Sequence, residues 1–228
     1  MTRAHRIFSG HRLAASVAAG IAAIVLVIVI IAIADSGSSS SSTAKAGSNA
    51  RSGPAAGGVV GTASSVSTSS FTVSTSAGQK ETVKKASSTT YRKGTSSTSA
   101  SSVTNGTPVL VLGTTNGSTI TATQVVVQPA SGGSAAFSPS KVVPFTRGAP
   151  ATSKQDGQIP ANYSQGSGTI VSGTTANNAT TAALATYPGG VIDRVVSLSN
   201  GEYEVHNIGV NWPHHIFVNK SFKVVGAN

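Results

Sequence analysis

An uninterrupted apolar run near the start of the chain limits what this sequence can fold into more than any other feature. It extends from Ala14 to Ala34, reads AASVAAGIAAIVLVIVIIAIA, and contains no charged residue over about 21 positions. A helix that rises about 1.5 Å per residue would span roughly 31 Å here, enough to cross a hydrocarbon core about 30 Å thick. The run therefore predicts a single transmembrane helix over residues 14–34.

The residues that flank the run predict its orientation. Arg3, Arg6 and Arg12 precede it. Because basic flanks stay in the cytoplasm, residues 1–13 are expected to be a cytoplasmic tail and the remainder to face outward from the cell membrane. A secretory signal peptide cleaved after Ala34 is the alternative, since a basic flank, an apolar stretch and the small residues near Ala34 also fit that template. Both interpretations export the chain.

Composition excludes several classes of function. The chain has no cysteine, which excludes disulfides and thiolate metal sites, and its six acidic residues form no evident acid–base pair. No G-x-S-x-G elbow or phosphate-binding glycine loop occurs, so the sequence predicts a protein that is not an enzyme and has no cofactor. The formal net charge of +10 favours anionic partners in the envelope. Nucleic acid is not expected as a partner, because the chain is exported and has few aromatic residues for base stacking.

Beyond the apolar run the chain alternates between low-complexity and patterned stretches. Residues 35–57 are rich in serine and glycine and predict a flexible linker. Residues 58–129 carry short alternating apolar runs separated by turn residues, including Asn116-Gly117, a pattern typical of small all-β barrels. Residues 130–168 contain several prolines and predict a second linker. Residues 169–228 then form a last domain.

The pattern of residues 58–129 resembles an uncharacterised bacterial extracytoplasmic domain family with an OB-like barrel. The matching pieces, in chain order, are Gly58-Val59-Val60-Gly61, Ser70-Phe71-Thr72-Val73, Glu81-Thr82-Val83, Thr89-Thr90-Tyr91, Asn105-Gly106-Thr107-Pro108-Val109 and Ile120-Thr121-Ala122-Thr123-Gln124-Val125. This resemblance implies a fold and an exported setting, and it implies no activity.

The C-terminal part combines a helix with hairpins. Thr174 to Tyr187 predicts a helix that Pro188-Gly189-Gly190 ends, and the Asn200-Gly201 turn predicts a hairpin between Val191–Ser199 and Glu202–Ile208. Two further strands are expected at His215–Val218 and Phe222–Val225, which gives an α+β unit with one helix packed on an antiparallel sheet.

This part resembles the PepSY-type domain. The matching pieces are Ala182-Ala183-Leu184-Ala185, Tyr187-Pro188-Gly189-Gly190, Val191–Val196, Asn200-Gly201-Glu202-Tyr203-Glu204-Val205 and Phe217-Val218-Asn219 to Val224-Val225-Gly226. The resemblance implies a small non-enzymatic exported domain of a type proposed elsewhere to bind partners or inhibit proteases. Asn211-Trp212-Pro213-His214-His215 departs from the plainer acidic turn of that family.

Alternation also predicts the buried cores. In the barrel the residues expected inside are Val60, Phe71, Val73, Val83, Val111 and Val125. In the C-terminal unit they are Val191, Val195, Tyr203, Val205, Phe217, Phe222 and Val224.

Three histidines are the nearest approach to a metal site. His206, His214 and His215 could meet across a hairpin and bind copper or zinc through imidazole. The favoured alternative is structural: His206 on a solvent face, Trp212 capping a sheet edge, and the two adjacent histidines pointing to opposite faces. Because no cysteine or nearby carboxylate pair completes the set, no metal is predicted. The Glu202 and Glu204 carboxylates are expected in solvent.

Two surfaces are candidates for partner binding. Tyr203, Trp212 and His214 are expected to be exposed anchors for an envelope protein or peptide. The basic residues of the barrel are candidates for binding anionic lipid or wall polymer, namely Lys80, Lys84, Lys85, Arg92 and Lys93. The predicted function is thus a membrane-anchored, non-catalytic binding or modulatory protein of the cell envelope that acts through the PepSY-like domain. A polymer or lipid binder and, less favoured, a metal-binding exported protein are the alternatives.

Overall fold

The computed structural model describes residues 53–129, 138 and 140–228. The predicted cytoplasmic tail and transmembrane helix lie outside the described residues, as do most of the first linker and residues 130–137 and 139 of the second. Within the described part, no helix combines the length and the hydropathy needed to cross a bilayer. All of the described residues fall in one compact unit.

The described chain is mostly β-structure with one α-helix, α1 (Gly173–Thr186), and a short 3-10 helix (Ala100–Ser102). Its strands are β1 (Ala55–Ser64), β2 (Ser70–Ser74), β3 (Lys80–Lys93), β4 (Ser96–Thr98), β5 (Pro108–Asn116), β6 (Thr119–Val127), β7 (Val143–Pro144), β8 (Asp156–Gly157), β9 (Thr169–Ile170), β10 (Val191–Ser197), β11 (Tyr203–Ile208), β12 (Val210–Trp212), β13 (His215–Val218) and β14 (Val224–Ala227).

Five strands close into a barrel, which confirms the small barrel predicted from the alternating pattern. The order is β1-β2-β3-β6-β5 and back to β1, with every pair antiparallel except β3 and β6. This closed five-stranded arrangement is consistent with an OB-like barrel. Residues 55–127, which contain it, are called the barrel segment below.

The barrel interior follows the period-two pattern of its strands. In β2, Phe71 and Val73 are buried while the residues between them are partly exposed. Val83, Val111 and Val125 join the same cluster, as predicted. Val60 does not, and that expectation is wrong: Val59 and Ala63 of β1 point into the barrel, so Val60 lies on the opposite face and packs against the cluster beneath α1.

The C-terminal segment, residues 140–228, contains α1 and the antiparallel strand order β10-β11-β13-β14. The predicted Asn200-Gly201 hairpin is confirmed, since β10 pairs with β11 on either side of it. The helix lies within one residue of its predicted bounds and buries a stripe of small residues that includes Ala176, Ala179 and Ala183. Of the predicted core, Val195, Val205 and Phe217 are buried.

The other predicted core residues of the C-terminal segment differ in placement. Val191 is buried, but it packs with the barrel cluster. Tyr203, Phe222 and Val224 are partly buried against the cluster beneath α1. They lie near strand ends, where the sheet covers only one side of a side chain.

Strand β1 belongs to both segments. It pairs with β5 along Ala55–Thr62, and it also pairs with β10 at Gly58 and Val59. Leu110 and Leu112 of β5 share one apolar cluster with α1. The two stretches predicted as separate domains are therefore joined here by one sheet and one cluster, while the exact domain boundaries drawn from the sequence stay predictions.

Glycine allows this junction to be close. A Cβ on Gly57 would lie 2.0 Å from the carbonyl oxygen of Ile192, and a Cβ on Gly58 would lie 2.3 Å from that of Val111. Neither distance is physically possible without movement of the backbone, so the run Ala55-Ala56-Gly57-Gly58 is what lets β1 pass between two neighbours.

The stretch predicted as the second linker contributes to the fold where it is described. Strand β7 pairs with β12, and β8 pairs with β14. Val142 is buried beside α1, whereas Phe145 is 59% exposed. Ile159 and Tyr163 pack with Phe217 on the face of the sheet away from the helix. These contacts bring residues 152–165 next to the strands that carry the histidines.

Candidate functional site

The fold brings His206, His214 and His215 together. His206 in β11 is paired directly with His215 at the start of β13. The ring centroids of His206 and His215 are 5.3 Å apart, those of His206 and His214 6.3 Å, and those of His214 and His215 6.5 Å. This is a compact cluster of three imidazoles.

The expected opposite orientation of His214 and His215 is wrong. Both residues line the same cleft, as does His206. The period-two rule fails here because β13 begins at His215, so His214 lies before the strand and is not bound by its alternation. His206 is also not on an open solvent face, since its side chain is only 15% exposed.

Two of the three imidazoles are held by carboxylates. His206 Nδ1 lies 2.6 Å from Asp193 Oδ1, and His215 Nδ1 lies 2.7 Å from Glu204 Oε1. The expectation that Glu204 faces solvent is wrong: it is 1% exposed, because β11 is covered on both faces. Arg194 Nη1 lies 3.8 Å from the second oxygen of Asp193. Tyr163 Oη also lies 2.9 Å from His215 Nδ1.

The third imidazole, His214, is held less firmly. Its Nδ1 lies 3.1 Å from the backbone carbonyl oxygen of Asn207, and the residue is exposed. The pKa of His214 is lowered, chiefly because the cleft partly removes the ring from water, and the nearby His206 and His215 lower it further. The carbonyl of Asn207 and the carboxylate of Asp193 oppose this shift.

The histidines form one end of a cleft of about 700 Å³. Its other walls come mostly from the stretch before α1, with hydroxyl and amide side chains, and the full lining is Thr152, Ser153, Lys154, Gln155, Gln165, His206, Ile208, His214, His215 and Asn228. Every lining residue except Ile208 carries a polar group on its side chain, although the carbon atoms of these side chains also form much of the wall. Such a surface suits a ligand that offers hydrogen-bonding groups.

Of the three predicted anchors, only His214 is an exposed residue. Trp212 is 1% exposed, so its expected exposure is wrong. It packs edge-on against Tyr187 at 5.6 Å between ring centroids, and its indole Nε1 donates to the carbonyl oxygen of Lys154 at 2.7 Å. Lys154 Nζ lies 4.0 Å from the centroid of the indole ring. Trp212 therefore anchors the wall of the cleft from beneath.

Tyr203, the remaining anchor candidate, is half-buried. It stacks on Phe222 with ring centroids 5.6 Å apart and an interplanar angle of 11°. Phe222 has a φ of +53°, an uncommon backbone conformation for a bulky residue. The binding role predicted for Tyr203 stays a prediction.

The basic residues of β3 are only partly brought together. Lys80 and Lys84 are exposed on the outer face of the barrel, on either side of inward-pointing Glu81 and Val83. Lys85 is partly buried and donates to the carbonyl oxygen of Ser67, and Arg92 donates to that of Thr95. Lys93 is exposed at the end of the strand. Lys80 and Lys84 are thus the two cations displayed on one face.

One further ionisable group lies inside the barrel. Glu81 is 6% exposed, and burial raises the pKa of its carboxyl from 4.5 to about 7. Its Oε2 has no hydrogen-bond partner in the described part of the chain.

Sequence reasoning found the histidines but missed their carboxylates and the walls of the cleft. The carboxylate of Glu204 had a usable signal, since Glu204 and His206 are two residues apart in a strand and must share a face. The walls had none, because residues 152–155 are distant in sequence from the histidines and their position depends on tertiary packing.

As the side chains stand, no group of three histidine, aspartate, glutamate or cysteine residues within the described ranges is placed to hold a metal ion. The arrangement is instead two carboxylate–imidazole pairs and a third imidazole at the edge of a cleft. The chain was also compared with known proteins. No family model, no curated protein and no solved structure matches it.

Proposed function

We propose that this protein is a non-catalytic binding protein of the cell envelope that takes an extended peptide segment of a partner protein into the cleft of its C-terminal segment. The observation that carries the proposal is the cleft itself, which combines about 700 Å³ of space with hydroxyl, amide and imidazole groups. Peptide main chain presents donors and acceptors along its whole length, and such side chains complement both.

The order of elements supports assignment of the C-terminal segment as PepSY-like. A helix, α1, precedes the antiparallel strands β10, β11, β13 and β14, and the helix covers one face of them. The strand order of the barrel segment likewise supports an OB-like assignment. Neither resemblance brings an enzymatic activity with it.

The envelope location rests on the sequence. Residues 14–34 supply the proposed membrane anchor, the N-terminus is cytoplasmic, and the described segments are extracytoplasmic. Mass spectrometry of the mature N-terminus in intact cells tests this point, because release after Ala34 would give a secreted protein. Digestion of the C-terminal segment by protease added outside the cells is expected, and protection from it would contradict the location.

Site-specific photocrosslinking tests the cleft. A photoreactive residue at Gln165, inside the cleft, is expected to capture a defined envelope protein in intact cells. The same residue at Ser101, exposed in the short 3-10 helix of the barrel segment and outside both candidate surfaces, serves as the matched control. Filling the cleft with Gln155→Trp should reduce capture from Gln165. Equal capture from both positions, or capture that Gln155→Trp leaves unchanged, contradicts the proposal.

A second candidate function is attachment to anionic wall polymer or lipid through the barrel. It is favoured by Lys80 and Lys84, which are exposed on one face with Thr82 between them. Sedimentation with anionic vesicles or cell walls should weaken steeply with salt and be reduced by Lys80→Gln with Lys84→Gln. The control is the same change at Lys220 and Lys223, exposed lysines of the C-terminal segment. An equal effect of both pairs would indicate only general charge.

A further inference from the structure

We propose that His206 and His215, joined by His214, form a binding site for a divalent transition-metal ion, with Cu²⁺ the tightest. This inference goes beyond the proposed peptide-binding function and does not depend on it. It rests on which ring nitrogen of each histidine is free, on the spacing of the rings and on the exposure of His214.

Hydrogen bonding assigns the proton of each neutral imidazole to Nδ1. The carboxylate of Asp193 accepts at 2.6 Å from His206, and the carboxylate of Glu204 accepts at 2.7 Å from His215. Because an ionised carboxylate has no proton to donate, each pair requires an N–H on Nδ1. At His215 the Tyr163 hydroxyl, 2.9 Å from the same nitrogen, then also accepts from that N–H. The carbonyl oxygen of Asn207 makes the same demand on His214.

This assignment leaves Nε2 as the unprotonated nitrogen in all three rings. Within the described residues, none of the three Nε2 atoms has a hydrogen-bond partner, and all three side chains line the cleft. An imidazole that donates one N–H to a carboxylate or carbonyl and keeps the other nitrogen free is the form that binds metal ions in proteins. The carboxylates also raise the basicity of the free nitrogen.

The spacing of two of the rings suits a shared ion. Two imidazoles that bind one ion at about 2.0–2.1 Å with a tetrahedral angle have ring centroids about 5 Å apart. The centroids of His206 and His215 are separated by 5.3 Å. These two rings are also fixed by the β11–β13 ladder, so they form a preset pair.

The third ring must move inward. His214 lies 6.3 Å and 6.5 Å from the other two centroids, which is too far for all three to meet at one ion and agrees with the lack of a preformed three-ligand group in the described residues. His214 is the exposed member of the cluster and precedes β13. Movement of its side chain toward the pair would bring a third imidazole nitrogen to the ion.

The chemistry of the donors selects the ion. Neutral imidazoles without thiolates suit Cu²⁺, Ni²⁺ and Zn²⁺, and the general order of affinities places Cu²⁺ first. The nearby carboxylates are already used at Nδ1, so Ca²⁺ and Mg²⁺, which require oxygen ligands, are not expected to bind.

The test uses the full chain with His5 and His11 replaced by alanine. The sequence has five histidines, so this background leaves the three of the cluster as its imidazoles. Titration with Cu²⁺ is expected to show one ion per chain, electron paramagnetic resonance coupling to imidazole nitrogens, and quenching of the chain's one tryptophan, Trp212. Zn²⁺ should compete, and Mg²⁺ should not.

Variants identify the ligands. His206→Ala or His215→Ala should weaken Cu²⁺ binding at least as much as Glu204→Gln, for which a loss of about 10–100-fold in affinity is expected because the charged acceptor of the His215 N–H becomes a neutral amide. His214→Ala, at an exposed position, should fold normally and reduce the number of coupled nitrogens from three to two. Lys223→Ala, at an exposed position that does not line the cleft, is the control with no effect.

The outcomes are decisive whether or not the strand variants fold. If His206→Ala or His215→Ala loses its structure by circular dichroism, His214→Ala still reports on the ligand set. Absence of nitrogen coupling and of Trp212 quenching in the background protein at excess Cu²⁺ overturns the proposal. It is overturned equally if His214→Ala and Glu204→Gln bind Cu²⁺ as tightly as the background does.

Discussion

The barrel segment and the C-terminal segment bury ionisable groups in opposite ways. In the barrel, Glu81 lies among aliphatic side chains and one of its oxygens has no partner. In the C-terminal segment, Glu204 is buried more deeply but lies 2.7 Å from His215 Nδ1. Arg194, 4% exposed, has Asp193 beside it. The buried carboxyl of the barrel segment thus has no charged partner among the described residues, whereas Glu204 and Arg194 of the C-terminal segment each have one.

The difference distinguishes a segment whose interior only stabilises the fold from a segment whose buried polar groups also position the side chains of the cleft. An apolar barrel is stabilised by area removed from water, and a lone carboxyl there is costly. A paired network is worth keeping only where every member is satisfied and oriented. The network of the C-terminal segment opens into the cleft, so the same hydrogen bonds that satisfy buried groups also fix the imidazoles that line it.

The largest expected effect comes from removing one aromatic side chain from each segment. Trp212→Ala and Phe71→Ala each empty a buried site and should lower the free energy of unfolding by about 3–5 kcal/mol. Because the segments share β1 and one apolar cluster, both variants should shift a single denaturation transition, measured by far-ultraviolet circular dichroism. Two transitions, each moved by only one variant, would show that the segments unfold independently.

The next effect concerns the unpaired carboxyl of the barrel. Burial raises the pKa of Glu81 from 4.5 to about 7, so the folded state holds this proton more tightly than the unfolded state does. The resulting stability is complete below about pH 4.5 and is lost as the pH rises through about 7, a difference on the order of 3 kcal/mol. Glu81→Gln should remove this slope and raise stability at pH 8. Glu202→Gln, at a turn, is the control that should leave the pH dependence of stability unchanged. If Glu81→Gln also leaves that pH dependence unchanged, Glu81 is not its cause.

The junction between the segments gives a smaller effect. Gly57→Ala places a Cβ 2.0 Å from the carbonyl oxygen of Ile192 and should cost about 1–3 kcal/mol, because β10 must move away from β1. Gly53→Ala is the matched control, since a Cβ there would meet no atom within 4 Å. Urea denaturation measures both. Equal stability of the two variants would mean that the close approach of β1 and β10 does not contribute to the fold.

The smallest effect tests one hydrogen bond between the segments. Thr75 Oγ1 donates to the carbonyl oxygen of Gly189 at 2.6 Å and accepts from the backbone N–H of Gln79 at 3.1 Å. Thr75→Val removes both bonds and should cost about 1 kcal/mol. Thr180 in α1 is also buried, but its Oγ1 has no partner in the described structure. Thr180→Val should therefore be neutral or slightly stabilising in thermal melts. If Thr180→Val lowers stability as much as Thr75→Val does, the hydrogen bonds of the Thr75 hydroxyl are not the cause of the destabilisation.

Local patterns predicted what local forces decide. Strand alternation around Phe71 and Val73, the Asn200-Gly201 turn and the alanine-rich helix each depend on a few neighbouring residues, and all three were predicted correctly. The face of β1 was not, because Val59 and Val60 are both apolar and both faces of that strand are covered. In such a strand, the hydropathy pattern does not distinguish which of two adjacent apolar residues points into the barrel.

The candidate site was less accessible to sequence reasoning. The pairing of His206 with His215 follows from a hairpin that spacing could suggest. The burial of Trp212 does not, because its hydrogen-bond partner, the carbonyl of Lys154, lies 58 residues away in sequence. No local pattern shows which distant backbone group accepts a hydrogen bond from an indole N–H. The sequence therefore does not distinguish an exposed Trp212 from a buried one.

The shared strand has a mechanical consequence. Among the described elements, β1 is the first that tension arriving from the N-terminal side of the chain would meet. Its backbone is bonded to β5 over eight residue pairs and to β10 over two, so a pull along its axis loads many bonds in parallel and cannot peel them away singly. Force applied to β1 would therefore reach the barrel segment through β5 and the C-terminal segment through β10, and we expect the two segments to resist it together.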